Sequence, residues 1–390
     1  MGGNAIGPWS EQFQSTGRTG GRDFLAFRLM GGMDMCRKKI YHILHILIII
    51  GLVLFFGSVA FYLYINWTSK PYPIENETVR AYLKHTDDKT IAVYVDGEYQ
   101  KNDFPDPIIV KSPIDGLLEI SSSYAFEDCI KYACTEGSNC IFNLTPDTRY
   151  YYRVKSDENG EIVKKGSFAV SDSIRMLYID GIFNVRDIGG WDTSNGQIDW
   201  GMIYRGSELD GDHGIAITEQ GMQAFIDAGI KGEVDLRSDA EMNNATYPVR
   251  EYIDYSRLPV MAYVEGILDF ESYGKVYRYI FDCVLNDKPV YIHCWGGCDR
   301  TGTVIALLEG ILGVSKEDIV KDYELSSFSI FGIREYGEGT EGVAFKEMID
   351  YIEKNYEGDS FQHKCMNYFY DLGFTEDEIK HFCSKMIEQN

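Results

Sequence analysis

Residues 293–303, with the sequence HCWGGCDRTGT, place an arginine six positions after a cysteine and follow it with Thr-Gly. A cysteine thiolate is a strong nucleophile, and the planar fork of Arg300 can grip two phosphate oxygens at once. We expect Cys294 to attack phosphorus and form a phosphocysteine intermediate, which water then hydrolyses. The pattern therefore predicts hydrolysis of phosphate monoesters without a metal ion or another cofactor.

Neighbours of this pair have expected roles in the same reaction. Thr301 can donate its hydroxyl to the sulfur and ease its departure, while His293 braces the loop rather than exchanging protons. The leaving oxygen needs a general acid. Asp299, adjacent to Arg300, is the first candidate for this acid, and Asp235 is the second.

A strand before the loop and a helix after it would position these groups. Residues 289–292 (PVYI) favour a short buried strand, and residues 303–308 (TVIALL) favour the start of a buried helix. The backbone N–H groups of residues 295–300 can then curl around a phosphate, and the helix start adds about half a positive charge. The same field should depress the pKa of Cys294 below the free-thiol value of about 8.5.

Other interpretations of the motif remain open. Cys294 could be a buried residue in a tight turn, or His293, Cys294 and Cys298 could bind zinc, although the sequence has no second ligand pair at metal spacing. Cys298 also suggests a redox hypothesis. Under oxidant it could bridge reversibly to Cys294 and protect it, or it could simply fill space.

Four further stretches resemble landmarks of the cysteine-dependent protein tyrosine phosphatase superfamily. They are residues 184–190 (NVRDIGG), 204–207 (YRGS), 234–237 (VDLR) and 322–326 (DYELS). With Asp299 just before the loop arginine, the chain resembles more narrowly the bacterial and fungal group of tyrosine phosphatases. The resemblance covers residues 175–390 and implies an α/β fold with a parallel sheet flanked by helices. It also implies activity on phosphotyrosine, which some members extend to phosphoserine, phosphothreonine or phosphoinositides.

The loop and the landmarks together give a candidate substrate-binding set. Its members are Trp295, Gly296, Gly297 and Cys298 in the loop, and Arg186, Asp187 and Asp235 outside it. Trp295 is expected to roof the pocket for an aromatic substrate, or merely to pack. Arg186 and Asp187 either shape the phosphate loop or form an ion pair within the domain. The group often has Lys where this chain has Cys298, which weakens the case for a highly charged lipid headgroup as substrate.

An apolar segment near the N-terminus predicts a membrane anchor. Residues 46–65 carry no charge over a length that spans a bilayer core of about 30 Å. We therefore expect a disordered tail over residues 1–39 and a transmembrane helix over residues 40–66. The basic residues 37–39 before the helix predict a cytoplasmic N-terminus and an extracytoplasmic catalytic domain. A cleavable signal peptide is the alternative.

Residues 74–170 predict a small β-sandwich between the anchor and the catalytic domain. Short β-rich runs, among them residues 90–95 and 107–110, alternate with turn signals such as Asp-Gly and Asn-Gly. Residues 144–150 resemble the tyrosine corner of fibronectin type III domains, in which Tyr150 would pin the turn into a strand. We expect a spacer, with a ligand-binding or adhesive role as the alternative. Its three cysteines allow one disulfide.

Charge and composition limit the partners of this chain. The 390 residues are 45% hydrophobic, which suffices for packed cores in two or three domains. The whole chain has a net charge of −23. Residues 1–39 contribute +3, so the net charge of the remaining residues is −26. Such acidity argues against nucleic acid as a partner. A phosphotyrosine protein or another phosphomonoester is the expected partner. Phosphoinositides, inositol phosphates, or a non-catalytic adhesion or phosphate-binding role are the alternatives, and the oligomeric state stays open.

Overall fold

A computed structural model describes residues 39–59, 71–85, 90–95, 104–210, 214–241 and 248–388 of the chain. The chain divides into two compact units at residue 70. Apart from Lys39, the expected disordered tail lies outside the described residues. Residues 60–66 of the expected anchor lie outside them as well.

The first unit contains one apolar helix, α1 (Lys39–Val59). Its 21 residues reach about 30 Å, and its mean hydropathy is 2.4 over an 18-residue window. No part of this window is buried. The helix is therefore long and apolar enough to cross a membrane. A signal sequence near an N-terminus would have the same length and composition.

The remaining elements belong to the second unit. Its helices are α2 (Glu77–Leu83), α3 (Glu219–Asp227), α4 (Tyr263–Ile267), α5 (Phe270–Leu285), α6 (Asp299–Leu312), α7 (Lys316–Glu324), α8 (Val343–Asn355), α9 (Phe361–Asp371) and α10 (Glu376–Met386). Its strands are β1 (Ile108–Ser112), β2 (Gly116–Ser121), β3 (Ile130–Cys134), β4 (Gly137–Ile141), β5 (Arg149–Lys155), β6 (Ile162–Ala169), β7 (Arg186–Asp187), β8 (Asp192–Thr193), β9 (Gly196–Ile198), β10 (Ile203–Gly206), β11 (Gly232–Asp235), β12 (Asp254–Arg257), β13 (Val290–His293) and β14 (Ile387–Glu388). Short 3₁₀ helices occupy Ile91–Val93, Asp239–Glu241 and Leu325–Phe328.

A five-stranded sheet in the order β12-β11-β13-β10-β7 carries the loop. The first four strands are parallel, and the two-residue strand β7 is antiparallel to β10. Val290 and Ile292 of β13 join an apolar cluster on one face of the sheet, while Tyr291 joins a cluster on the other. Helices α5, α6, α8, α9 and α10 pack into the first cluster, and α3 packs into the second. The chain therefore has the expected α/β architecture, with one antiparallel edge strand added.

Another group of strands, in residues 104–170, precedes this sheet, and we call it the β module. Strand β1 pairs with β4, whereas β3, β2, β5 and β6 form a four-stranded antiparallel sheet. Both sheets contribute to one apolar cluster, for example through Leu118 and Ile141. The Tyr150 hydroxyl accepts a hydrogen bond from the Thr145 N–H at 3.0 Å, which is the bond that defines a tyrosine corner.

The strand expected at residues 90–95 is wrong, because Ile91–Val93 form a 3₁₀ helix. Ile91 and Val95 are buried in an apolar cluster of the five-stranded sheet, and α2 reaches the same cluster through Val79 and Tyr82. Packing partners have thus overridden the strand propensity of a β-branched run. Helix α2 and this 3₁₀ helix pack with the five-stranded sheet, although the sequence predicts that they belong to the sandwich.

The cysteines of the β module are free thiols. Cys129, Cys134 and Cys140 are unpaired, so the disulfide that the sequence allows is not formed here. Cys134 is buried with its sulfur 3.8 Å from the Ser112 hydroxyl, whereas Cys140 is exposed.

Asn143 joins the β module to the segment that leads into the five-stranded sheet. Its side chain accepts from the Tyr178 N–H at 2.7 Å and donates to the Tyr178 carbonyl at 2.8 Å. Arg175 donates to the Asn143 carbonyl at 2.6 Å and lies 3.4 Å from the Asp187 carboxylate. Residues 71–390 consequently form one compact unit.

Candidate active site

The loop between β13 and α6 forms the candidate active site. Strand β13 ends at His293, α6 begins at Asp299, and Cys294 lies between them with 3% of its surface exposed. Gly297 has a φ of +69°, and a Cβ there would lie 2.1 Å from the Gly206 carbonyl oxygen. No side chain of the described residues caps the N-terminus of α6. Its first-turn N–H groups are therefore available to an anion in the loop.

Arg300, in the first turn of α6, binds a carboxylate of the same chain. Its Nη1 and Nη2 donate to the two oxygens of Glu241 at 2.8 and 2.6 Å. These bonds lower the pKa of Glu241 to about 2. Nη1 also donates to the Leu236 carbonyl at 3.5 Å. The second hydrogen of Nη2 remains, so Arg300 can keep Glu241 and still donate to a phosphate oxygen. Sequence reasoning missed Glu241, which lies 59 positions from Arg300.

Asp299, the first candidate for the general acid, is held by two partners. Arg334 donates to both carboxylate oxygens at 2.8 and 3.2 Å, and the Tyr263 hydroxyl donates to one of them at 2.6 Å. Burial alone would raise the pKa of Asp299, but Arg334 and Tyr263 outweigh it and lower the pKa. In this arrangement the side chain is a carboxylate without a proton to donate.

Asp235, the second candidate for the general acid, is fully buried. Its two oxygens accept from Arg237 at 2.9 and 2.8 Å, and the Tyr255 hydroxyl donates to it at 3.0 Å. Burial favours a higher pKa, but the charges of His293 and Arg237 outweigh it and lower the pKa of Asp235. The structure thus places Asp235 as an internal ion-pair partner, away from solvent.

His293 is buried beneath the loop between two acceptors. Its Nε2 lies 2.9 Å from Glu233 Oε1, and its Nδ1 lies 3.1 Å from the Cys294 carbonyl. Burial lowers the pKa of His293, but Asp235 and Glu233 outweigh it and raise the pKa to about 9. The ring is therefore an imidazolium at neutral pH, and both N–H groups donate. The two bonds fix the ring beneath the loop, and the bracing role of His293 stays a prediction.

Two buried side chains hold carbonyl groups on the back of the loop. Asn184 Nδ2 donates to the Gly296 carbonyl at 3.0 Å, and Arg205 Nη2 donates to the Gly297 carbonyl at 2.6 Å. Both side chains are fully buried. Their bonds turn the loop carbonyls away from the front of the loop, where a phosphate would bind. Sequence reasoning did not assign them a role, although both stand in landmark stretches.

Arg186 binds the residues that hold the loop. Its Nε donates to Asp322 at 2.8 Å and its Nη1 to Asn184 Oδ1 at 2.5 Å, while Asp322 also binds Arg205. Asp187 instead accepts from two backbone N–H groups at 3.0 and 2.7 Å, and burial raises its pKa to about 6. The contacts of Arg186 place it as a positioning residue that acts on the loop through Asn184 and Asp322. Asp187 contacts Arg175 and backbone N–H groups outside the loop, so the two residues belong to separate networks.

An aromatic rim borders the loop. The Trp295 ring is 45% exposed and stands edge-on to Phe331, with 5.9 Å between the ring centroids. A Cβ at Gly296 would lie 2.9 Å from the Phe331 ring, so this position accommodates only glycine without a shift. Phe331 was absent from the sequence-based candidates, because nothing near it in the sequence points to the loop.

Thr301 and Cys298 complete the description of the loop, and their contacts bear on two of the expected roles. The Thr301 hydroxyl is buried without a hydrogen-bond partner among the described residues, so its expected bond to the Cys294 sulfur is not formed here. Cys298 donates to the Gly296 carbonyl at 3.3 Å, and burial raises its pKa to about 12. A thiol that resists ionisation favours the space-filling role of Cys298. Its reversible bridge to Cys294 stays a prediction.

Comparison with known proteins adds independent findings. Residues 177–388, more than half of the chain, match the profile of the tyrosine phosphatase family. A tyrosine-protein phosphatase of Nostoc commune is 28% identical over 137 residues, which cover 30% of this chain and 47% of the relative. The chain thus spans about half the length of that curated relative. The core catalytic domain of the PP-IP phosphatase SIW14 from S. cerevisiae is 17% identical, with a TM-score of 0.27 over 47% of this chain and 86% of that one. P. aeruginosa TpbA is 18% identical, with a TM-score of 0.24 over 33% of this chain and 71% of that one.

Proposed function

Because the chain belongs to the tyrosine phosphatase family, we propose that it hydrolyses phosphate monoesters through a phosphocysteine, with phosphotyrosine as its preferred substrate. The supporting observation is that Cys294 lies in the loop that leads into the uncapped N-terminus of α6, with Arg300 in the first turn of that helix. A protein that only binds phosphate has no need of a thiol at the base of its loop.

In the proposed first step, the Cys294 sulfur attacks phosphorus and the ester oxygen leaves. The N–H groups of the loop and the fork of Arg300 stabilise the charge on the transferring phosphoryl group. Glu241 keeps the Arg300 guanidinium oriented before the substrate arrives. In the second step, water attacks phosphorus and releases phosphate and the thiolate. Thr301, whose buried hydroxyl has no other hydrogen-bond partner among the described residues, would then donate to the departing sulfur.

Phosphoinositides and inositol phosphates rank below phosphotyrosine in this proposal. A highly phosphorylated ligand needs cations that are not already compensated. Arg300 and Arg334, which border the loop, are each bound by a carboxylate, Glu241 and Asp299 respectively. The exposed ring of Trp295 instead offers an apolar surface to a phenyl group.

For the N-terminal part, we propose that α1 anchors the chain in a membrane with the N-terminus in the cytoplasm. The apolar length of α1 supports the anchor, and the basic residues 37–39 at its start support the orientation. We further propose that the β module is a fibronectin type III-like spacer. The bond between the Tyr150 hydroxyl and the Thr145 N–H supports that assignment.

Phosphate release by the full chain from phosphotyrosine peptide, phosphoserine peptide and phosphoinositide tests the proposal. Replacing Cys294 by Ser should abolish release from every substrate. Cys140→Ser is the matched control, because Cys140 is an exposed free thiol of the β module. Full turnover by the Cys294 variant would refute the mechanism, and a preference for lipid of more than about tenfold, roughly 1.4 kcal/mol, would refute the substrate ranking.

A further inference from the structure

A short stretch of the chain supports the buried network behind the loop. This support stretch, residues 322–328, runs from α7 into the 3₁₀ helix that follows it. Asp322 forms a buried ion pair with Arg205. The Ser326 hydroxyl accepts a hydrogen bond from Asn184 Nδ2 at 3.2 Å. Arg205 and Asn184 are the two side chains that hold loop carbonyls, so the position of the support stretch sets the position of the loop.

Glu324 lies in the middle of the support stretch and binds two other segments of the chain. One of its carboxylate oxygens accepts from the Tyr336 N–H at 2.7 Å, and the other accepts from the Tyr82 hydroxyl. Burial raises the pKa of Glu324, and these two donors oppose the rise. The Tyr82 ring also packs on Phe328 of the stretch, with 5.9 Å between the ring centroids. Helix α2 therefore contacts the support stretch through both a hydrogen bond and a ring.

Helix α2 lies outside residues 177–388, the part of the chain that matches the family. It has seven residues, and the Asn76 side chain caps its start by accepting from the Val79 N–H at 2.9 Å. A helix of this length is not stable by itself in water, so packing must hold it. Val79 and Tyr82, the buried residues of α2, supply that packing. The bond from Tyr82 to Glu324 consequently depends on the docking of α2.

Loss of the Tyr82 hydroxyl would disturb the support stretch at its centre. One oxygen of the Glu324 carboxylate would be left in the interior without its donor, which is unfavourable for a charged group. The side chain would then shift toward water or another donor. Because Glu324 stands between Asp322 and Ser326, this shift would displace the residues that position the loop. A displacement of about 1 Å at a reacting centre can lower the rate by about 100-fold.

Building on the proposed phosphatase activity, we propose that Tyr82 of α2 is a positioning residue of the active site, which acts on the loop through Glu324. Helix α2 is thereby an activating element, although it contributes no group to the reaction. Docked α2 fixes the support stretch, and released α2 leaves the Glu324 carboxylate without its donor. The buried bond between Tyr82 and Glu324 carries this inference, and the contact of the Tyr82 ring with Phe328 supports it independently.

The test measures kcat/KM of the full chain for a phosphotyrosine peptide, at a temperature where circular dichroism shows every variant folded. Tyr82→Phe keeps the ring and removes only the hydroxyl, so kcat/KM should fall about tenfold. Glu324→Leu should cause at least the same loss. Glu324→Gln should restore kcat/KM to within about twofold of the wild type, because its amide can accept from the Tyr336 N–H and donate to the Tyr82 hydroxyl.

A double variant and a control complete the design. Adding Tyr82→Phe to Glu324→Leu should cause no further loss, because the bond between the two residues is already absent. Tyr94→Phe is the matched control and should keep wild-type kcat/KM, since the Tyr94 ring packs edge-on to Tyr82 at 5.6 Å without a hydrogen bond to Glu324. If Glu324→Leu does not fold, the comparison of Tyr82→Phe with Tyr94→Phe decides.

Several outcomes would overturn the inference. They are unchanged kcat/KM in Tyr82→Phe, an equal loss in Tyr94→Phe, equal losses in Glu324→Gln and Glu324→Leu, and additive losses in the double variant. In each of these cases the wild type still releases phosphate, so the proposed function stands. Absence of phosphate release by the wild type would overturn the proposed function itself, and this inference with it.

Discussion

At Gly297 the loop backbone has a φ of +69°, which L side chains adopt only with strain. Gly297→Ala would also bring a Cβ to 2.1 Å from the Gly206 carbonyl. Because the loop must then shift, we expect kcat/KM to fall by about 100-fold or more. Gly160→Ala is the control, since Gly160 has the same φ of +69° but open space around its Cβ position. Unchanged kcat/KM in Gly297→Ala would contradict the expectation. A similar loss in Gly160→Ala, which lies in the β module, would point to general destabilisation rather than to a change in the loop.

The imidazolium of His293 predicts a pH dependence of stability. Its pKa is raised from 6.5 to about 9, so its contribution is fully present below about pH 6.5 and is lost as the pH rises through about 9. This rise corresponds to roughly 3 kcal/mol of unfolding free energy. Urea titrations at pH 6 and pH 9.5 should show that loss in the wild type and in the control His381→Gln. In His293→Gln the loss should be absent, and an equal decline there would contradict the assignment.

Among the elements, the buried network behind the loop is as important as the loop itself. Asn184→Ala removes the donor to the Gly296 carbonyl and leaves that carbonyl buried without this partner. We expect a loss of about 2 kcal/mol in unfolding free energy and at least a tenfold loss in kcat/KM. Asn355→Ala, at an exposed position of α8, should change neither by a measurable amount. Full activity of the Asn184 variant would show that Arg205 alone suffices to hold the loop.

The sequence predicts the strand, loop and helix of the site because their pattern is local. Buried β-branched residues precede the loop, β13 ends at His293, and α6 begins within the motif at Asp299. The ion pairs that set the chemistry are not local, since Glu241 lies 59 positions from Arg300 and Arg334 lies 35 positions from Asp299. No periodicity connects such positions. The general acid expected from the motif therefore appears in the structure as an ion-paired carboxylate.

At the scale of the whole molecule, the boundary of the catalytic domain differs from the one that the resemblance implies. A start at residue 175 leaves out α2, although Val79 and Tyr82 are buried in the core of the catalytic sheet. The Tyr82 hydroxyl also binds Glu324, two residues after the Asp322 that holds Arg205. Local strand propensity could not reveal this, because the contact joins residues 242 positions apart.

A catalytic fragment that starts at residue 175 should consequently be less stable than residues 71–390. This truncation removes α2 together with the β module, and it exposes the apolar surface that Val79 and Tyr82 cover, so we expect a lower Tm and binding of an apolar dye. Within residues 71–390, Tyr82→Ala should cost about 3 kcal/mol, because it leaves a cavity in the core. Tyr124→Ala is the control, since Tyr124 is 73% exposed and should leave the Tm almost unchanged. Equal Tm values for the two fragments would mean that α2 does not contribute to the stability of the core.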